Sequence, residues 1–266
     1  HESAGRAAAT DLPAEMPAFF REATEQLAYL NPEPDRWRGD GFRELNEAKR
    51  YDHYIDFELV PDSVRAAPDR FQYLIALQKL GLENPAREAG LLPFRIVELY
   101  QSLVVEWRLW RAAEDPARRQ WIEQRIINDA GILGHYVTDG ANPHHTTVHH
   151  DGWRADWPNP RNFTMERGFH SRFESQFVEA RIRTADLLPH VRAPRRLENV
   201  RDDVLAYLLE SHSHLERLYE LDQVERFGRE TQGAEHRDFA VARLAAGANM
   251  LRDLWWTAWL ASENPR

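Results

Sequence analysis

Two histidine–carboxylate pairs, each four residues apart, are the residues most able to do chemistry: His135 with Asp139, and His170 with Glu174. On a helix that spacing puts both side chains on one face, where an imidazole and a carboxylate can reach one cation. The stretch 134–153, GHYVTDGANPHHTTVHHDGW, runs from the first pair towards the second. It holds five of the chain's twelve histidines: His135, His144, His145, His149 and His150. The chain has no cysteine, so any zinc must be held by imidazole nitrogen and carboxylate oxygen. A di-iron site in a helical bundle would need Glu-x-x-His pairs and further inward glutamates. That pattern is absent, which favours hydrolytic zinc over redox iron. The four-residue spacing recurs at His212 and Glu216 within SHSHLERLYE, where it reads as a solvated helix pair. One such pair is common without a metal; two pairs flanking a histidine-rich turn are the signal.

The elements that must position these residues read as helices. Residues 14–30 place Phe19, Ala23, Leu27 and Leu30 on one stripe, and 93–113 space Ile96, Leu99, Leu103, Trp107 and Trp110 at threes and fours, the pattern of a core-facing helix. Pro116 can open the next helix, in which Trp121, Ile122, Ile126, Ala130 and Leu133 repeat the pattern and which should stop near Gly140. Further helices are expected over 166–187, beginning near Thr164, and over 199–221 and 236–262. No two-residue alternation argues for a sheet. The expected fold is all-α: a single compact multi-helix domain over residues 1–266, without linker or repeat. One long irregular segment interrupts it, 140–165, with three prolines and two tryptophans. Loops of that length inside a helical domain are usually functional or disordered, and its aromatic and histidine content favours function.

Composition narrows the classes. A formal net charge of −9 argues against a broad basic surface for nucleic acid. No apolar run reaches the ~18 residues needed to span a bilayer; the longest, around 91–109, is broken by Pro93, Arg95, Glu98 and Glu106.

Taken together, His135-Tyr-Val-Thr-Asp139, Asn142-Pro143-His144-His145 and His170-Ser-Arg-Phe-Glu174 resemble the core of the zinc-dependent phospholipase C and single-strand nuclease superfamily, in its bacterial branch. Two upstream segments extend the resemblance. Tyr51-Asp52-His53-Tyr54-Ile55-Asp56 supplies His53, and PEPDRWR supplies Asp35, with Asp40 as the alternative. His1 stands eleven residues before Leu12-Pro13, where the family has its amino-terminal histidine, followed by a helix and then Leu-Pro. The family's terminal ligand residue lies a few positions before that histidine. The expectation is therefore a chain that begins inside the motif, through trimming or disorder; the alternative is that His1 is the true terminus and chelates with its own amino group.

The resemblance implies an all-α enzyme, secreted or periplasmic, holding three zinc ions. It gives Asp35, His53, His135 and Asp139 to the first, Asp139 and His1 to the second, and His145, His170 and Glu174 to the third. Asp139 bridges, and Asp35 and Asp139 are the candidate catalytic carboxylates. Spacing does not decide whether Asp35 also takes a proton. The implied chemistry is in-line displacement at phosphorus, with water activated between two ions about 3.5–4 Å apart. The ions would dominate the local field, so the acidic chain need not repel a phosphate. Asp52, Asp56 and Asp151 are near enough in sequence to accept from ligand imidazoles.

His149 and Trp153 are the candidate substrate contacts, since a base stacked on an aromatic ring gains ~1–3 kcal/mol; Trp153 and Trp157 can equally pin the loop. Arg154 and Arg161 can reach a phosphate. His144 and His150 are not counted as ligands, and His190, His214 and His236 are assigned to structure or solvent. The expected function is a zinc-dependent phosphodiesterase. A nuclease acting on single-stranded DNA or RNA and 3′-nucleotides stands ahead of a phospholipase C acting on phospholipid headgroups. The alternative of another class is a non-catalytic, metal-stabilised helical protein. A monomer with no stable protein partner is expected.

Overall fold

The computed structural model describes residues 1–39 and 41–263, and all regular elements among them are helical. Nine segments organise the chain: α1 (Glu2–Ala9), α2 (Thr24–Leu30), α3 (Arg70–Lys79), α4 (Leu92–Ala112), α5 (Pro116–Ala141), α6 (169–181), α7 (Val200–Ser213), α8 (Leu215–Val224) and α9 (Ala234–Ala261). Short helical turns fill most of the span between α2 and α3. None of the described helices is long and apolar enough to cross a membrane.

The long helices α4, α5 and α9 pack on one another, with α1 and α2 against them. Their shared interior is aromatic. Phe20 meets Trp107 at 5.5 Å and Trp255 at 5.4 Å, and Trp107 meets Trp259 at 5.1 Å, all edge-to-face. Such pairs contribute about 0.5–1.5 kcal/mol each beyond area burial. The tryptophans divide accordingly: Trp107 and Trp255 are buried, whereas Trp121, counted above on a core stripe, is 66 % exposed at the solvent end of α5.

Helix α5 starts at the surface and ends in the centre. Asp115 caps it by accepting from the Ala117 N–H at 2.9 Å, and Pro116 occupies the first turn, where a missing N–H costs nothing. From 130 to 141 every residue is buried. Three boundaries differ from those expected. Residues 14–30 form two helices, Ala18–Arg21 and α2, with the chain turning at Glu22 and Ala23; of the expected stripe Leu27 is buried and Phe19, Ala23 and Leu30 are partly buried against the core, while Phe20, outside the stripe, is fully buried. The helix carrying His170 begins at Phe169 rather than near Thr164. The 199–221 segment breaks at His214. His212 and Glu216 therefore do not pair as expected: Glu216 binds Arg161, and the nearest carboxylate to His212 is Glu58 at 4.0 Å. Helix α1, an alanine-rich stretch without an apolar period, was implied only by the resemblance, which puts a helix between the amino-terminal histidine and Leu12-Pro13. Asp40, the alternative to Asp35, lies outside the described residues.

Helices α1 and α5 meet around one buried side chain, Asn31, just after α2. A Cβ on Gly134 would stand 2.2 Å from Asn31 Nδ2, and one on Gly5 2.6 Å from the same atom. Asn31 Oδ1 accepts from the Thr138 hydroxyl at 3.4 Å, one turn beyond Gly134. The two glycines thus let α1 approach α5 closely enough to bring residue 1 beside residue 135. Gly134→Ala is expected to cost about 1–3 kcal/mol through overpacking, read as a lower melting temperature.

Between α4 and α5 lies a carboxyl remote from the histidine pairs. Glu106 is 2 % exposed and accepts from Arg125 at 3.1 Å. Burial first, then the charge of Asp129, raises its carboxyl from 4.5 to about 7. Between those values the native state binds more protons than the unfolded one, so stability falls as pH rises through that window. Glu106→Gln is expected to flatten the fall in melting temperature between pH 5 and pH 8; an unchanged slope would count against this.

Candidate metal centre

Helix α5 presents His135 and Asp139 one turn apart at its buried end, 0 % and 2 % exposed. The chain then turns sharply. Asn142 accepts from the His144 N–H at 3.1 Å, opening the turn Pro143–Thr146 that delivers His145. His53 comes from the turn Arg50–His53, which is tied to the same place by backbone bonds. The Ile55 N–H donates to His145 O at 2.9 Å, and His145 Nδ1–H donates to His53 O at 2.7 Å. Asp35 sits on the turn Glu33–Arg36, and His1 caps α1 with its Nδ1 against Thr138 Oγ1.

His170 and Glu174 come from α6, which runs as Phe169–Ser171, Arg172–Val178 and Glu179–Arg181. The middle stretch is wound with the wider π turn, a local geometry frequent where side chains are re-aimed at functional sites. Its start is anchored by Asp151, whose Oδ1 accepts from the N–H groups of Gly168 at 2.8 Å and His170 at 3.3 Å.

These segments bring all eight expected residues together. Three groups have donor atoms within 4.8 Å of one another and could each hold a metal ion: His1, His135 and Asp139; Asp35, His53 and His135; His145, His170 and Glu174. Asp139 joins them. Its Oδ2 is 2.9 Å from His53 Nδ1 and 3.3 Å from His135 Nε2, while its Oδ1 is 3.4 Å from His1 Nε2 and 3.7 Å from His145 Nε2. Glu174 Oε2 lies 2.6 Å from His170 Nε2 and 3.5 Å from His145 Nε2. Asp35 is the outermost carboxylate, 41 % exposed, 3.7 Å from His1 Nε2 and 3.8 Å from His135 Nε2.

The separations carry information. A tetrahedral zinc with bonds of about 2.0–2.1 Å holds its donors roughly 3.3–3.4 Å apart. The contacts of Asp139 with His135 and His1, 3.3 and 3.4 Å, match that figure, whereas His53 with Asp139 at 2.9 Å and His170 with Glu174 at 2.6 Å are at hydrogen-bond distance. The tautomers agree. A carbonyl can only accept, so His145 Nδ1 carries the proton and its Nε2 lone pair faces Asp139 and Glu174. His145 Nε2 and His1 Nε2 are both buried without a hydrogen-bond partner. Lone pairs facing carboxylate oxygens need a proton or a cation between them, so the donor set fits a divalent ion.

The electrostatics point the same way. Burial alone would push the Asp139 carboxyl up, yet His135 and His145 hold it well below the usual range. Glu174 is likewise held low by His145 and His170 against burial. Burial opposes the charged form of His145, but Asp139 and Glu174 raise it to about 9. A cation entering here would displace that proton.

Other expected participants lie apart from the cluster. His149 stacks on Trp153 at 3.8 Å and 9°, and its Nδ1 accepts from the Arg154 N–H. Trp153 also packs near Phe163 and Tyr219 and donates to Pro158 O; neither residue lines the cleft. Arg154 pairs with Asp156, and Arg161 with Glu216 and Glu220. His144, not expected as a ligand, lies outside the three groups but close to them: it is buried among Phe169, Phe173 and Tyr219 with its ring 5.1 Å from that of His170, and it lines the cleft. Asp52 pairs with Arg70 and Arg95, and neither Asp56 nor Asp151 accepts from a site imidazole. Two contributors escaped sequence reasoning. Asn142 donates to Glu174 at 3.2 Å, and Thr138 holds His1; both lay inside the motif, but their roles follow only from the crossing of α1, α5 and α6.

Above the cluster the cleft has two arms that meet at Asp35, Asp139, His145 and Glu174. One, of about 530 Å³, is walled by Phe173, Val178, Ile182 and Leu244. The other, of about 1120 Å³, carries Tyr54 and four arginines, Arg38, Arg50, Arg87 and Arg167.

Because Asp139 turns one oxygen to each side, Asp139→Ala is expected to remove two metal equivalents together and His170→Ala one, measured as zinc per chain by plasma mass spectrometry. Equal losses would count against a bridging role. No protein-family model, curated protein or solved structure matches this chain.

Proposed function

We propose that this chain is a zinc-dependent phosphodiesterase that hydrolyses phosphate esters in the cleft above the cluster, with single-stranded nucleic acid and 3′-nucleotides as the leading substrates. The observation that carries this reading is the arrangement around Asp139: one buried carboxylate with four imidazoles at 2.9–3.7 Å, two with unpartnered Nε2 atoms. The motif resemblance to the phospholipase C and single-strand nuclease superfamily supports it, and export from the cytoplasm as a monomer belongs to the same reading.

Zinc held by His1, Asp35, His53, His135, Asp139, His145, His170 and Glu174 would supply Lewis-acid activation of water and neutralisation of charge at phosphorus. The chain's own contribution is positional. The buried floor of His53, His135 and Asp139 keeps solvent from one side, so an ester must approach from the cleft. Asp35 is the carboxylate most open to that approach and is the candidate to accept a proton from attacking water. Asn142 and Asp151 fix the α6 donors, limiting the rearrangement needed when substrate arrives.

A second reading, phospholipase C-type cleavage, draws on the wall of Phe173, Val178, Ile182 and Leu244, which suits an apolar substituent as well as a base. A panel of bis(4-nitrophenyl) phosphate, single-stranded DNA and RNA, 3′-nucleotides and phosphatidylcholine, with and without chelator, separates these. Chelator-sensitive hydrolysis with about three zinc per chain is expected. Less than one zinc per chain in protein purified without added metal would overturn the reading. Bound zinc without hydrolysis of any member would favour a metal-stabilised, non-catalytic protein.

A further inference from the structure

The wider arm of the cleft holds two guanidinium groups that the fold does not use. Arg87 comes from the short helix Pro85–Ala89 and Arg167 from the loop preceding α6; both are exposed and line the arm. Neither has an ion-pair partner among the described residues, whereas Arg50 lies 3.1 Å from Glu47 and Arg38 3.4 Å from Asp35. Their backbones are nevertheless fixed. The Tyr54 hydroxyl donates to Arg87 O, and Gly168, next to Arg167, donates its N–H to Asp151 at 2.8 Å. With the backbone held, only the side-chain rotamers remain to be ordered on binding.

The acids on the same wall are otherwise engaged. Asp35, Asp139 and Glu174 belong to the cluster, and Asp151 is bound to two backbone N–H groups. Asp56 is buried, and burial together with the nearby Glu58 raises its carboxyl to about 8. The planar fork of arginine matches a phosphate in two parallel hydrogen bonds.

We infer that Arg87 and Arg167 form a second anion subsite, which takes a further phosphate of a substrate whose first phosphate lies at the histidine–carboxylate cluster. This rests on the phosphodiester reading only for the first position. The ligand class is an ester with at least two separated phosphates rather than one isolated phosphate. Two non-hydrolysable probes test it on zinc-loaded protein by calorimetry: hexylphosphonate, with one anionic head, and hexamethylene bisphosphonate, with two.

The chain is expected to bind the bisphosphonate about tenfold more tightly, the scale of one added charge-assisted contact. Arg87→Ala/Arg167→Ala should bring that ratio to about one and leave hexylphosphonate unchanged, while Arg87→Lys/Arg167→Lys keeps part of the preference. No preference in the unaltered chain, or equal weakening of both probes in the alanine variant, overturns the subsite. A chain that prefers the bisphosphonate yet cleaves no phosphodiester keeps the subsite and loses the hydrolase reading. A hydrolase lacking that preference does the reverse.

Discussion

A carboxylate buried to 2 % exposure with four imidazoles within 3.7 Å is the constraint on which the rest of the site depends. Taking a charge out of water is expensive unless it is compensated where it sits. Asp139 is compensated from both sides, and each compensating histidine arrives on a different stretch of chain. His135 shares its helix, His145 follows the next turn, His53 comes from a turn 86 residues earlier, and His1 from α1. A substitution that shifts any of these stretches therefore acts on the same carboxylate.

The scaffold divides this work between one stiff rod and several tied turns. Helix α5 is buried throughout its last twelve residues, 130–141, so two donors are placed by helical geometry alone. The remaining donors sit on short elements with little packing of their own, and backbone hydrogen bonds set their positions. The reciprocal bonds between the segments of His53 and His145 are the clearest case. The irregular stretch after residue 146 is held in a similar way: His149 on Trp153, the Tyr219 hydroxyl on His149 O, and Asp151 on the start of α6.

Much of this was legible in the residues, and what was not has a physical reason. The stripe of Ile126, Ala130 and Leu133 marked α5 because a long helix repeats its period often enough to be read. The pairs His135/Asp139 and His170/Glu174 were visible for the same reason, as spacings within one element. Periodicity does not mark helix α1, because ESAGRAAA has almost no large apolar residue; it is buried through alanine and glycine against α2, α5 and α9. The breaks at Glu22–Ala23 and His214 were missed because no proline or glycine marks them. Trp121 followed the period but sits where α5 projects into solvent, and periodicity does not say where the core ends. The wide winding of α6 and the meeting of glycines on Asn31 depend on partners far away in the chain.

The seating of α1 on Asn31 has a thermodynamic consequence. A helix of eight residues made largely of alanine and glycine contributes little cohesion of its own and is a natural unit for local opening. The residue that precedes it, His1, also reaches the central carboxylate, at 3.4 Å. Any cation that engages His1 together with Asp139 binds only the docked form. By mass action it then holds the helix down by RT ln(1 + [L]/Kd). Protection of the amides of α1 against hydrogen exchange would then rise with the amount of cation held between His1 and Asp139.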